Sequence, residues 1–193
     1  MTKKRITPSQ EDSRKRDSFF MQHALDLALK GRGKVSPNPL VGCVIVDVNG
    51  HRIGAGYHKK YGGAHAEVEA VQSVESPDSL KNATVYVTLE PCSHHGKTSP
   101  CADLLASLPI KRVVIAQKDP NPLVNGSGIE KLRAHGIDVS LGVLEQEAEQ
   151  LNEFFNHAQR FGRPFVTLKI AQTVDLQKRV LIKSIFLILL MKF

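Results

Sequence analysis

The stretch ATVYVTLEPCSHHGKTSPCADLLASL, residues 83–108, passes from a strand pattern through a polar loop into a helix pattern. ATVYVTLE (83–90) is rich in β-branched and aromatic residues and reads as a buried strand. CADLLASL (101–108) reads as a helix that begins where the loop ends. Between them, residues 91–101 hold two of the chain's three cysteines at the two ends of one short loop, with His94, His95 and Lys97 inside it. Such a loop is neither a core segment nor an ordinary turn.

Outward from this stretch, strands and helices alternate. SFFMQHALDLALKG (18–31) places Phe20, Ala24, Leu27 and Ala28 on one helical face. LVGCVIVDVNG ends an apolar strand in an Asn49-Gly50 turn, and RIGAGYH reads as the returning strand of a hairpin. HAEVEAVQSV (65–74) is helical in pattern, KRVVIAQ (111–117) a strand, IEKLRAHG a helix and IDVSLGV a short strand. EQEAEQLNEFFNHAQRFG (145–162) reads as one charged amphipathic helix. The pattern predicts an α/β chain, a three-layer α/β/α sandwich. Its central sheet is expected to be mixed, with an initial antiparallel hairpin pair followed by parallel strands.

The chain has 193 residues and a formal net charge of +7, which invites a nucleic-acid reading. The charge is not spread evenly. Residues 1–17 net +3, residues 176–193 net +4, and the 16 basic and 16 acidic residues between them cancel. The basic pI therefore belongs to the two ends and points to no nucleic-acid partner. Three cysteines, an odd number, argue against a disulfide framework and for a reducing compartment, so a cytoplasmic location is expected. The start lacks the apolar run of a signal peptide, and the apolar end VLIKSIFLILLMKF is interrupted by Lys183. A spanning helix needs about 20 apolar residues, so a soluble protein with no membrane partner is expected.

His65-Ala66-Glu67 opens the 65–74 helix and supplies what the cysteine loop lacks. The imidazole of His65 with the thiolates of Cys92 and Cys101 makes three zinc ligands, one Zn2+ per chain, with a tetrahedral position left open for water. Predicted helix N-termini at His65 and Cys101 would favour a thiolate. Glu67 is close enough to exchange a proton with water at that position without occupying the metal. A purely structural zinc loop is the alternative for Cys92 and Cys101, and the nearby Glu67 weighs against it. Cys43, inside the apolar run LVGCVIV, reads as a buried hydrophobe and not as a fourth ligand.

The order His-x-Glu, then Pro-Cys, resembles the signature of zinc nucleobase deaminases. The match departs from it in the eight residues between Cys92 and Cys101, where the usual number is two. That longer loop, with SPNPLVG (36–42), GYH (56–58), AHAE (64–67), TLEPC (88–92) and KDPNP (118–122), resembles the riboflavin-biosynthesis deaminases of the cytidine/deoxycytidylate deaminase superfamily. The resemblance covers about residues 20–145. It implies a cytidine-deaminase-like fold and hydrolytic deamination of diaminohydroxyphosphoribosylaminopyrimidine, a small phosphorylated pyrimidine. Glu67 would be catalytic and His65, Cys92 and Cys101 would bind zinc. It also implies that Asn38, His58 and His94 face the substrate. Between two prolines, Asn38 also suits a plain turn, and DPNP (119–122) suits turn chemistry as well. Lys97 is expected to contact the substrate phosphate, with a solvated loop charge as the alternative.

Members of that family often carry a following reductase. RPFVTLKIA (163–171) resembles its first strand, and Lys169 and Ala171 match positions of its cofactor site. Beyond them the sequence departs from the family. The expected organisation is therefore a basic polar tail at 1–17 and a zinc-dependent deaminase domain at 18–145. A linker helix with the start of a truncated reductase follows at 146–171, and an aberrant apolar tail at 172–193. NADPH would be needed only if a reductase were present, and it is not expected. A homo-oligomer is compatible with these features. The rival readings are a deaminase of tRNA adenosine or of free nucleotides, and an inactive zinc-stabilised binding module.

Overall fold

The computed structural model of the protein describes residues 8–93, 99–121 and 124–167. Five strands form one sheet: β1 Gly42–Val46, β2 Arg52–Tyr57, β3 Thr84–Leu89, β4 Arg112–Gln117 and β5 Asp138–Leu141. Their order is β2-β1-β3-β4-β5. β1 is antiparallel to both of its neighbours, whereas β3, β4 and β5 run parallel. The expected mixed sheet is present, with two antiparallel pairs where the sequence suggested one. The chain leaving β2 crosses the sheet and returns beside β1, which places the first strand of the hairpin in the interior.

Among the described residues six α-helices complete the layers: α1 Pro8–Leu29, α2 Ala66–Gln72, α3 Cys101–Ala106, α4 Ser127–Ala134, α5 Glu145–Leu151 and α6 Glu153–Phe161. Alternate strand positions feed two cores, as the pleat requires. Val44, Val46, Tyr86, Val114 and Ala116 pack with Phe20, Met21 and Ala24 of α1 and Ala148 of α5. Cys43, Ile45, Val85, Val87, Val113 and Ile115 pack on the other face with Ala66, Ala70, Leu105, Ile129 and Leu132 of α2, α3 and α4. Each such aliphatic side chain contributes about 1.5–3 kcal/mol when fully buried. Because both faces are covered, every residue of β1 is buried, which explains its unbroken apolar run.

Three boundaries differ from the sequence reading. Helix α1 begins at Pro8, not at residue 18, so only part of the expected tail lies outside it. Its Asp17 is buried, accepts a hydrogen bond from Tyr86 Oη at 2.9 Å, and receives two from the Arg112 guanidinium at 2.9 and 2.8 Å. Those partners stand 69 and 95 positions away, so no local pattern announced them. The expected single helix over 145–162 is broken at Asn152 into α5 and α6. Residues 163–167, the described part of the expected 163–171 strand, form no strand. Lys169, Ala171, the 172–193 tail and residues 1–7 lie outside the described residues. No helix among the described residues is long and apolar enough to cross a membrane.

Candidate active site

The carboxyl ends of β3 and β4 meet the start of α2 and α3 at one end of the sheet. β3 delivers Glu90, Pro91 and Cys92 there, and α2 is seated over β2 closely enough to bring His65 and Glu67 to the same place. The seat depends on Gly56: a Cβ there would lie 2.4 Å from the Ala70 nitrogen and 2.5 Å from the Ala66 oxygen. On the opposite side, α4 packs against the Pro91 carbonyl through Gly128, where a Cβ would lie 2.1 Å from that oxygen. Glu90 ties the two segments together. Its buried carboxylate accepts backbone N–H groups from Asp119 at 3.2 Å, Gly126 at 2.9 Å and Gly128 at 3.0 Å. Ser93 Oγ and Ser127 Oγ, 2.5 Å apart, add a second tie beside Cys92.

His65, Cys92 and Cys101 converge as the spacing predicts. His65 Nδ1 lies 3.3 Å from Cys101 Sγ and 3.6 Å from Cys92 Sγ, and the three donor atoms lie within 4.8 Å of one another. No disulfide joins the sulfurs. The donor set fits a zinc ion: an imidazole nitrogen and two sulfurs face a common point beside a buried carboxyl, where clustered negative charge calls for a cation. The thiols do not behave alike. Hydrogen bonds from Cys101 and His65 lower the Cys92 thiol to about 4. The Cys101 thiol is pushed far up by its hydrogen bond to Cys92, by burial and by the Glu67 charge.

Cys101 does open α3, yet its amide N–H donates to Cys92 Sγ, at 3.3 Å, so the helix start stabilises the other sulfur. His65 sits immediately before α2, as expected, and its pKa is raised, chiefly by the hydrogen bond to Cys92.

Glu67 is 3% exposed. Burial first, and then the charge at Cys92, push its carboxyl up to about 7. It lines a cavity of about 510 Å3 together with His65, Cys92, Asn38 and His58. Asn38 Nδ2 lies 3.1 Å from His58 Nε2, so the two residues expected to face a substrate are in contact with each other. Asp119 and Asn121 line the same cavity, and the Asn121 N–H donates to Asp119 Oδ1 at 2.9 Å, the turn bond expected of this stretch. His94 and Lys97 lie outside the described residues, as do His95 and Thr98.

Sequence reasoning gave no role to Glu90, Phe155 or Gln159, all of which line the cavity. For Glu90 a signal existed: it is a carboxylate at the end of an otherwise apolar strand, directly before Pro-Cys. Phe155 and Gln159 lay hidden in what read as a linker helix.

Residues 14–117 match the family model of the cytidine and deoxycytidylate deaminase zinc-binding region. The riboflavin biosynthesis protein RibD of Bacillus amyloliquefaciens is 51% identical over 159 residues, covering 82% of this chain and 42% of that protein. Among solved structures, RibD of Acinetobacter baumannii (form 2) superposes with a TM-score of 0.81 at 45% identity, covering 84% of this chain and 45% of the other. A diaminohydroxyphosphoribosylaminopyrimidine deaminase/5-amino-6-(5-phosphoribosylamino)uracil reductase of Thermotoga maritima gives 0.79 at 48% identity, covering 84% and 46%. The chain thus spans less than half the length of these relatives.

Proposed function

Because the chain belongs to the cytidine and deoxycytidylate deaminase family, we propose that it is a zinc-dependent hydrolytic deaminase of diaminohydroxyphosphoribosylaminopyrimidine, acting in riboflavin biosynthesis. The observation that carries the proposal is the buried carboxyl of Glu67 on the same cavity as the donor atoms of His65, Cys92 and Cys101. The pyrimidine substrate is supported by the relatives, which match at about half identity over four fifths of this chain.

His65, Cys92 and Cys101 would hold the zinc, which would supply Lewis-acid activation of the attacking water. The remaining work belongs to the protein. The buried Glu67 carboxyl, on the same cavity as the three donor atoms, is placed to accept a proton and to return it. Glu67 takes one proton from the attacking water and passes it to a ring nitrogen of the substrate, then takes the remaining proton from the newly added hydroxyl and hands it to the departing amine. The new C–O bond becomes a carbonyl as the C–N bond breaks, and ammonia leaves. Asn38, held by His58, presents a carboxamide to the polar edge of the ring. His94 and Lys97 complete the proposed substrate contacts, with Lys97 on the phosphate.

The proposed deaminase domain is 18–145, extended toward the N-terminus by the rest of α1. The protein is proposed to act in the cytoplasm on a small molecule, and the electrical neutrality of residues 18–175 supports that choice over a nucleic acid. The test is ammonia release by the purified zinc-loaded chain from the phosphoribosyl pyrimidine, from deoxycytidylate and from tRNA. Release from the first alone is expected. Release confined to deoxycytidylate or tRNA would overturn the substrate assignment.

A further inference from the structure

The segment beyond the family-matched residues 14–117 reaches the cavity that holds the candidate chemistry. Asn152, between α5 and α6, is only 3% exposed. Its Oδ1 accepts from the Leu40 N–H at 2.8 Å and its Nδ2 donates to the Leu40 carbonyl at 2.9 Å. One carboxamide thus satisfies both backbone groups of a single loop residue, the service that a neighbouring strand would supply. Leu40 directly follows the Pro37-Asn38-Pro39 stretch, whose Asn38 meets His58.

One turn later, Asn156 exchanges two hydrogen bonds with Gln117 at the end of β4, at 2.6 and 3.2 Å. Asn152 and Asn156, four residues apart, therefore pin one stripe of this helix to the sheet and the loop. Phe155 and Gln159, also four apart, form a second stripe, and both line the cavity with Asn38, His58 and Glu67. A helix locked by buried polar groups at two points holds its other side chains in fixed positions.

Resting on the deaminase reading above, we propose that α6 is part of the substrate site. Phe155 and Gln159 contact the bound phosphoribosyl pyrimidine, and Asn152 is a positioning residue that holds the Asn38 loop against them. A phenyl ring offers a flat apolar wall to a heteroaromatic ring, and a carboxamide offers one acceptor and two donors to its polar edge or to ribosyl hydroxyls. This helix thereby serves specificity, whereas the zinc donors and Glu67 serve the reaction.

The experiment compares the full chain with Phe155→Ala, Gln159→Ala and Asn152→Ala by steady-state ammonia release, zinc content and thermal melting. Gln159→Ala and Phe155→Ala are expected to raise KM about 3- to 10-fold, the size of one lost contact, with kcat within about twofold and zinc content unchanged. Asn152→Ala is expected to lower Tm and also to raise KM by at least about fivefold, because the Asn38 loop loses its anchor. A helix with only a structural role would lower Tm in Asn152→Ala and leave KM at the wild-type value in all three variants. That outcome, with the wild-type chain active, overturns this inference alone. A zinc-loaded wild-type chain that releases no ammonia contradicts the deaminase reading and this inference with it.

Discussion

Asn38 Nδ2 lies 3.1 Å from His58 Nε2, and the other ring nitrogen of His58, Nδ1, lies 2.9 Å from the Ala64 carbonyl oxygen. A carbonyl can only accept, so the network assigns the hydrogen to Nδ1 and leaves Nε2 to accept from Asn38. Burial, and then the neighbouring His65, lower the pKa of His58 and keep it neutral, although its bond to Ala64 pulls the other way. A zinc ion held by His65 would act in the same direction as burial. The tautomer is thus fixed by two neighbours, and the Asn38 side chain is oriented by it.

The sign of the pH effect follows. As pH falls below the ordinary histidine value of about 6.5, the unfolded chain takes up a proton at residue 58 that the folded protein refuses. Stability from this residue is therefore full above that pH and declines below it. Melting curves between pH 8 and pH 5.5 are expected to show a steeper loss in the wild type than in His58→Gln. Equal slopes would contradict the neutral, acceptor-bound histidine.

Gly128 governs the seat of the cysteine loop, since a Cβ there would lie 2.1 Å from the Pro91 oxygen. Gly128→Ala must displace either α4 or the Pro91-Cys92 peptide. The expected cost is about 1–3 kcal/mol of stability, together with weaker zinc retention during competition with a chelator. Unfolding in urea and a zinc-competition titration check both parts, and unchanged zinc retention would show that the Cys92 loop does not depend on this contact.

At the far end of β4, Arg112 neutralises Asp17 with two hydrogen bonds, and Tyr86 supplies a third. Arg112→Met leaves a buried carboxylate with one neutral donor and is expected to cost about 3 kcal/mol. The double variant Asp17→Asn with Arg112→Met should recover part of that loss, because the uncompensated charge is gone. Additive losses in the two single variants and the double variant, measured by urea unfolding, would deny the coupling.

What the sequence disclosed and what it concealed divide along the range of the interactions. The buried strands at 42–46, 84–89 and 112–117 were legible because their apolar runs reflect a sheet covered on both faces. The clustering of His65, Cys92 and Cys101 was legible because their residue types and order matched a deaminase signature, and the fold brings the three together. The burial of Asp17 within α1 was not legible, because its partners Arg112 and Tyr86 come from distant strands. The break at Asn152 was not legible either. Its cause is a pair of hydrogen bonds to Leu40, 112 positions away, and the amphipathic pattern of 145–162 continues across it. The bond from the Cys101 amide to Cys92 Sγ was not legible either, because no spacing reveals the direction of one amide.

Glu67→Gln decides whether Glu67 moves the protons of a deamination. The substitution keeps the size of the side chain and removes its acid–base chemistry. Ammonia release from the phosphoribosyl pyrimidine is measured in wild type and variant at matched zinc occupancy, one ion per chain verified by elemental analysis. In the variant kcat is expected to fall by at least about 100-fold while zinc remains bound. Turnover within about threefold of the wild type, at full zinc occupancy, would contradict it.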